Sequence, residues 1–346
     1  MQPKINVDQR IGLPEGFTDR GATMEDTESF MRLQNRWSRQ VTGHDEVSDP
    51  RATANRWRMP GFDPGRDIRL VFTARRRLAG VVLVWPLAKP PVHPWLGCWI
   101  DPDFEDTGVA SWLLDWAGQR CAQLVDELPA DVRLAPRTSL PRQAESMRAV
   151  LESQGYRHIR TSYTMLIEME APPPQPEWPE GIAIRTYDPD RDLAAVYQAD
   201  NEAFRDHFGH VEEPYEQGLE RFKHYLTGYE GFDPSLWFLA MDGDDVAGIS
   251  LCKPGSHEDP EIGWVDALAV RKPWRKRGIG LALLRHSFAE YYRRGRRKVG
   301  LGVDAGNLTG ALRLYEGAGM HVHQVFDLFE KELRGGRESS VESLSA

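Results

Sequence analysis

The spacing of apolar residues predicts regular elements along the second half of the chain. An apolar-rich run from Ile182 predicts a strand, and the apolar residues Val196, Tyr197 and Phe204 then recur near helical spacing. Pro214 opens a second predicted helix, in a position that helices tolerate. A hairpin follows, then a strand over about 262–270, a helix, a strand, a short helix and a last alternating strand. This order predicts a mixed α/β fold.

The first half repeats this pattern. LVFTARRRLAGVVLVWP and WFLAMDGDDVAGISLCKP each contain two apolar runs around a polar turn, which predicts the same hairpin twice. LGCWIDPDFEDTGVASWLLDWA aligns with DALAVRKPWRKRGIGLALLRHSFA, so that Gly108 matches Gly278 and Ala110 matches Gly280. A third pair, MRAVLESQGY and ALRLYEGAGM, follows in the same order. The sequence therefore predicts the duplication of one fold.

A proline-rich segment divides the chain almost in half. APPPQPEWPEG, residues 171–181, contains five prolines and is typical of a semi-rigid linker. The predicted organisation is an N-terminal lobe over 1–170, the linker over 171–181, a C-terminal domain over 182–334 and a disordered polar tail over 335–346.

Composition excludes several classes of protein. The 346 residues are 40% hydrophobic with a mean hydropathy of -0.52, and no apolar run approaches the roughly 18 residues of a membrane span. A net charge of -9 argues against a nucleic-acid binder and mildly favours a cationic small molecule. The N-terminus lacks a signal-peptide pattern, so we expect a cytoplasmic location. The three cysteines, Cys98, Cys121 and Cys252, form no CxxC pair and are interpreted as packing residues.

The strongest chemical signal is the segment ALAVRKPWRKRGIGLALL. Five cationic residues precede a helix start, although the helix dipole favours negative charge there. An anionic ligand would explain why cations lie at a helix start. Glycines allow close approach of a phosphate, and the backbone N–H groups of the first turn can bind it. A structural turn without a ligand remains the alternative. The predicted phosphate site comprises Arg275, Lys276, Arg277, Gly278, Ile279, Gly280 and Leu281.

RKRGIG resembles the Arg/Gln-x-x-Gly-x-Gly/Ala loop of the GNAT superfamily of N-acetyltransferases, and NLTGALRLYEGAGM resembles a later segment of that family. The resemblance implies that the loop binds the pyrophosphate of acetyl-coenzyme A, the only cofactor expected, and that the strand residues Leu268, Ala269 and Val270 bind its pantetheine. It also implies a coenzyme contact at Asn307. It covers roughly 182–333, with a degenerate copy in the first half. The expected fold is a tandem of two GNAT folds, each a mixed, mostly antiparallel sheet flanked by helices, as in the mycothiol synthase-like branch of the family.

The first lobe departs from the family pattern. Its loop reads EDTGVA, so Glu105 and Asp106 stand where a phosphate requires cations, and Leu151 replaces the tyrosine of the second copy. Carboxylates repel a pyrophosphate by about 1 kcal/mol or more per close pair. We therefore expect the first lobe to bind no acetyl-coenzyme A.

The reaction needs a base for the amine and an acid for the departing thiolate. The resemblance places Tyr315 beside the thiol as the acid. Asp266 lies within the apolar strand WVDALAV, where a carboxylate must be paired or face a cleft, and alternation gives it the same face as Trp264 and Leu268. Asp266 is therefore either the base or a structural hydrogen-bond partner, with Glu261 in reserve.

Three further side chains are candidates for the acceptor pocket. Asp206, His207 and His210 lie on a loop that borders this pocket in the family, where they relay a proton or only shape the site. His321 and His323 form an HxH pair without an evident third ligand, so no metal is expected.

The predicted function is transfer of an acetyl group from acetyl-coenzyme A to the primary amine of a small molecule. Two alternatives stay open: a non-catalytic acyl-coenzyme A sensor, and a protein or peptide N-acetyltransferase. No nucleic acid or membrane partner is expected, and a homodimer is possible.

Overall fold

The computed structural model describes residues 11–45, 50–227, 232–256, 259–306 and 310–341. The strands are β1 (Phe17–Gly21), β2 (Ile68–Thr73), β3 (Leu78–Trp85), β4 (Trp95–Ile100), β5 (Arg137–Pro141), β6 (Arg157–Glu168), β7 (Ile182–Thr186), β8 (Trp237–Asp242), β9 (Asp245–Lys253), β10 (Ile262–Val270), β11 (Lys298–Asp304) and β12 (His321–Glu330). The helices are α1 (Thr27–Thr42), α2 (Pro50–Trp57), α3 (Pro64–Asp67), α4 (Val109–Ala122), α5 (Glu145–Ser153), α6 (Leu193–Phe204), α7 (Tyr215–Thr227), α8 (Ile279–Arg293) and α9 (Ala311–Gly317).

The chain forms two compact units, and each takes a segment from the other half of the sequence. The first unit comprises the residues up to Thr161 together with Val211–Glu213 and Phe326–Ser340. The second comprises Ser162–His210, Pro214–Val325 and the residues after Ser340. These boundaries differ from the predicted division at 171–181.

The sheet of the first unit begins with an antiparallel series from β1 to β4. β5 then pairs in parallel with β4, from Trp95 opposite Arg137. The other edge of β5 pairs with residues 326–330 of β12 in antiparallel orientation. The last strand of this sheet is therefore supplied by the end of the chain.

The sheet of the second unit has the same order. β7, β8, β9 and β10 form an antiparallel series, β11 joins β10 in parallel, and residues 162–168 of β6 pair antiparallel with β11. This repeated order confirms the predicted fold class, a mixed and mostly antiparallel sheet flanked by helices.

Helices cover both faces of the second sheet. α8 packs one face through Leu283, Leu284 and Phe288, in a buried cluster with Val265 and Leu301. On the other face, α6 packs in a separate buried cluster. Each helix packs on its face of the sheet because it buries an apolar stripe there.

The two matched glycines occupy equivalent positions. Gly108 has φ 81° at the N-cap of α4, and Gly278 has φ 87° at the N-cap of α8. Neither helix has a side-chain cap. Both turns therefore need a left-handed residue, for which glycine carries no steric cost.

Several regions differ from the sequence predictions or lie outside the description. Residues 335–341 of the predicted disordered tail are ordered in part, since the Arg337 carbonyl accepts from the Arg133 N–H at 3.0 Å. Asn307, the predicted coenzyme contact, lies outside the described residues, and Gly310 is the N-cap of α9. No helix in the described ranges is long and apolar enough to cross a membrane.

Candidate active site

The site begins where two parallel strands separate. β10 and β11 pair only from Ile262 opposite Lys298 to Val265 opposite Leu301, while β10 stays paired with β9 as far as Val270. Backbone groups in a strand alternate between its two edges, so every second residue beyond Val265 directs its N–H and C=O towards the gap. An extended ligand can take the place of the missing strand.

A β-bulge lies at the point of separation. The register of β10 against β9 shifts between Val265 and Ala267, which places the extra residue at Asp266. The bulge breaks the two-residue alternation. Leu268 consequently packs with the α8 side of the sheet, whereas Ala267 and Ala269 pack with the α6 side. The predicted alternation through Asp266 to Leu268 is therefore wrong.

The basic loop presents its backbone to the same gap. Lys276 has φ 62° and Gly278 has φ 87°, two left-handed residues that turn the chain into α8. Among the described residues, no acceptor is recorded for the first-turn N–H groups of Ile279, Gly280 and Leu281, since intrahelical bonding starts with Ala282 donating to Gly278. These N–H groups are the usual unsatisfied donors of a helix start, which are suited to binding an anion.

The two loop glycines serve different purposes. At Gly278 a side chain would meet nothing within 4 Å, so glycine is required there for its backbone conformation. At Gly280 a Cβ would lie 3.2 Å from Leu314 Cδ1 and 3.7 Å from Val270 Cγ2, so a larger residue there would have to push the Leu314 side chain aside.

The loop cations are not equivalent. Arg275 is used within the fold, because its guanidinium donates to the carbonyls of Val270 at 3.0 Å and Ala203 at 2.9 Å. Arg277 lies 3.8 Å from the Asp242 carboxylate, which also accepts from the Trp274 indole at 2.8 Å. Arg275 therefore fixes the loop between α6 and β10.

A cavity of about 500 Å³ connects these parts within the second unit. Its walls are the end of α6, the separated parts of β10 and β11, the basic loop, the first turn of α8 and α9. The residues predicted from sequence that line it are Asp266, Leu268, Ala269, Val270, Arg275, Lys276, Gly278, Ile279, Gly280, Leu281, His207 and Tyr315. Arg277 is absent from this lining.

Tyr315 lies on α9 at the wall of the cavity and is 8% exposed. Burial raises the pKa of its phenol to about 12. The phenol therefore keeps its proton throughout the physiological range. It is also a weaker acid than the reference value of roughly 10 suggests, which favours hydrogen-bond donation to a developing thiolate over full release of the proton.

Asp266 is paired with a cation, as expected for a carboxylate within an apolar strand. Its carboxylate lies 2.9 Å from the Lys253 ammonium, and both side chains are largely buried. The nearby carboxylate of Asp200 was not predicted from the sequence. Asp200 of α6 has its pKa raised to about 7, first by burial and then by the charge of Asp266. The available signal was its place on an apolar helix face, four residues after Val196 and four before Phe204.

The structure does not bring Glu261 to the cavity. It precedes the paired start of β10, with a side chain that is 77% exposed and 2.7 Å from Arg296. Glu261 therefore does not line this cavity, because the strands separate only further along, and its reserve role as base stays a prediction.

Of the three residues predicted for the acceptor loop, only one lines the cavity. His207 lines the cavity, and burial is the main cause that lowers its pKa, so the ring is neutral at pH 7. Asp206 instead pairs with Lys272 at 2.8 Å, and neither it nor His210 belongs to the lining. Within the described ranges, no three metal-ligating side chains come together.

A separated parallel strand pair that leads to a glycine turn and an uncapped helix start defines an acyltransferase of the N-acetyltransferase class. Comparison with known proteins agrees. A family model described as "Acetyltransferase (GNAT) family" matches residues 193–320. A mycothiol acetyltransferase from Thermobispora bispora is 32% identical over 248 residues, which cover 70% of this chain and 76% of that relative.

Solved structures give the same result. A GCN5-related N-acetyltransferase from Sphaerobacter thermophilus is 32% identical, with a TM-score of 0.78 over 94% of this chain and 99% of that one. A tandem GNAT protein from the clavulanic acid biosynthesis pathway has the same fold at 13% identity, with a TM-score of 0.66 over 93% of this chain and 100% of that one. The chain belongs to the GNAT family of N-acetyltransferases, and the predicted tandem fold is confirmed.

Proposed function

We propose that the second unit transfers an acetyl group from acetyl-coenzyme A to the primary amine of a small molecule. The observation that carries this proposal is one continuous cavity. It joins the free N–H groups at the start of α8 to the Tyr315 hydroxyl along the unpaired edge of β10.

The coenzyme would lie along this path. Its pyrophosphate fits the first-turn N–H groups of Ile279, Gly280 and Leu281, with Lys276 at the rim supplying positive charge. Its pantetheine arm has amide groups that can pair with the open edge of β10 between Leu268 and Val270, as an added strand would. Asn307 remains a further candidate contact.

The reacting thioester would lie between the β-bulge and Tyr315. Attack by the amine places negative charge on the carbonyl oxygen, and a backbone N–H at the bulge is a donor already fixed in position for that charge. The Tyr315 hydroxyl donates to the departing sulfur. Because its pKa is about 12, Tyr315 lowers the cost of thiolate formation without losing its proton at neutral pH.

The acceptor end of the cavity favours a cation. Asp266 lines it, so an ammonium group would meet a carboxylate there that is already paired with Lys253. The net charge of -9 acts in the same direction at longer range. An amino sugar or a polyamine has the required chemistry.

Two measurements test the proposal. Calorimetry with coenzyme A should show binding, and a panel of amines with detection of free thiol should show release of coenzyme A by at least one primary amine. Binding without turnover on the whole panel would favour a sensor, and transfer confined to alcohols or thiols would contradict the amine assignment. Transfer to peptides alone would favour a protein acetyltransferase.

A further inference from the structure

We propose that Val265 and Leu301 limit the length of the acyl group that the enzyme transfers. Their side chains form an apolar wall where the cavity ends, against which the acyl methyl group rests, so that groups longer than propionyl do not fit. This inference rests on the proposed function, because it defines the donor substrate of that reaction. The position of the two side chains, the length of the coenzyme arm and the packing behind the wall support it.

Val265 and Leu301 lie where the gap between β10 and β11 closes. They are the last pair of residues that the two strands hold in register, and both line the cavity. Residues paired in this way direct their side chains to the same face of a sheet, so the two side chains lie next to each other. Each residue is 2% exposed, and both belong to the buried cluster that contains Tyr315. The wall is therefore on the face of the sheet that carries the predicted proton donor.

The length of the coenzyme arm brings the acyl group to this wall. The first turn of α8 is level with Val270, because a Cβ at Gly280 would lie 3.7 Å from Val270 Cγ2. The pantetheine arm from phosphate to sulfur has as many bonds as the backbone of about four residues, so it spans roughly 13 Å when extended. Counted back along β10 from Val270, this length ends at Asp266, and Val265 comes next. An acyl group on that sulfur meets the wall.

The space behind the wall is filled on both faces of the sheet. On the face of Val265, a Cβ at Gly263 would lie 2.4 Å from the ring of Tyr291. On the opposite face, a Cβ at Gly300 would lie 2.9 Å from the ring of Trp264. Glycine at these two strand positions makes room for the two rings. A longer acyl chain would have to displace one of them.

Asp266 makes the remaining direction unfavourable for an apolar chain. It lines the cavity next to Val265 in the strand, and its carboxylate lies 2.9 Å from the Lys253 ammonium. Methylene groups packed against this ion pair would remove water from it and offer no hydrogen bond in return, which costs free energy. The surroundings of Asp266 therefore suit a polar acceptor, and those of Val265 suit the acyl methyl group.

The test compares acetyl-, propionyl-, butyryl- and hexanoyl-coenzyme A as donors to one amine, in wild type, Leu301→Ala and Val265→Ala. In each reaction the amine nitrogen takes the acyl group and the sulfur leaves as the thiol of coenzyme A, so one thiol assay measures kcat/KM for every donor. Wild type should use butyryl-coenzyme A about 100-fold less well than acetyl-coenzyme A. Leu301→Ala should raise the butyryl-to-acetyl ratio by about tenfold or more, and Val265→Ala, a smaller truncation, should raise it less.

Leu284→Ala and Val299→Ala are the matched controls. Both residues are 0% exposed in the same buried cluster, and neither lines the cavity, so each loses the same atoms as its counterpart without making room for the acyl group. Their butyryl-to-acetyl ratios should stay within about twofold of wild type, as should the affinity of every folded variant for unacylated coenzyme A. Leu301→Val is the milder change that replaces Leu301→Ala if that variant does not fold.

Calorimetry with the same donors separates the possible failures, because it needs no acceptor. A wild type that binds coenzyme A but acylates no amine would contradict the proposed function alone, and a tighter binding of butyryl-coenzyme A to Leu301→Ala than to wild type would still support the wall. Equal use of acetyl- and butyryl-coenzyme A by wild type would overturn the wall alone. A butyryl-to-acetyl ratio that rises equally in Leu301→Ala and Leu284→Ala, or in neither, would also overturn it.

Discussion

Asp200→Asn should stabilise the protein at neutral pH. The raised pKa means that the folded state holds the Asp200 proton more tightly than the unfolded state does. The stability that goes with this proton is complete below about pH 3.8 and is lost as the pH rises to about 7. Asparagine carries no such dependence.

The pKa fixes the expected size of the effect. Stability falls by about 1.36 kcal/mol for each pH unit over which only the folded state keeps the proton. From pH 5 to the pKa of about 7, this amounts to about 3 kcal/mol. For a unit of this size, about 2–4 °C of melting temperature corresponds to each kcal/mol, so the shift should be roughly 6–12 °C.

Thermal melting of wild type, Asp200→Asn and the exposed control Asp190→Asn at pH 5 and pH 8 provides the assay. The melting temperature of Asp200→Asn relative to wild type should rise by several degrees between the two pH values, and that of Asp190→Asn should not. A difference from wild type that is the same at both pH values, within about 1 °C, would refute the reasoning.

Two further predictions concern the cavity. Tyr315→Phe should lower kcat by about 10- to 100-fold with coenzyme binding unchanged, because only the donor to the leaving sulfur is lost. Stopped-flow detection of free thiol measures this effect. A kcat within twofold of wild type would exclude the role of Tyr315 as that donor. Gly302→Phe should weaken coenzyme A binding at least tenfold in calorimetry, because Gly302 lines the cavity and its Cβ would meet nothing within 4 Å. The same change at Gly118 of α4, which also has open space, is the control, and equal affinities in the two variants would place the coenzyme elsewhere.

The local pattern of the sequence predicts most elements of the second unit. Apolar spacing predicted α6, α8 and β10, because each element buries one face or both. The glycine turn was equally readable, since Gly278 and Gly280 meet conformational and steric needs that lie within a few residues of each other. Features of this kind depend on neighbours along the chain.

The parts that sequence did not predict depend on distant neighbours. The bulge at Asp266 appears only in the register of β10 against β9, and it reverses the side on which Leu268 packs. The pKa of Asp200 is raised first by burial and then by the charge of Asp266, on a strand more than sixty residues further on. The hydrogen bond from the guanidinium of Arg275, a predicted phosphate contact, to the carbonyl of Ala203 also joins residues far apart in the chain.

The pairing of β5 with residues 326–330 also bears on how the protein is made. A ribosome synthesises the chain from its N-terminus, so the first unit lacks its last strand until residues 326–330 have been translated. During that time the outer edge of β5 exposes unpaired backbone groups, which are open to chaperones and to wrong strand partners. Loss of residues 326–330 should therefore destabilise the first unit, although most of that unit precedes Ser162.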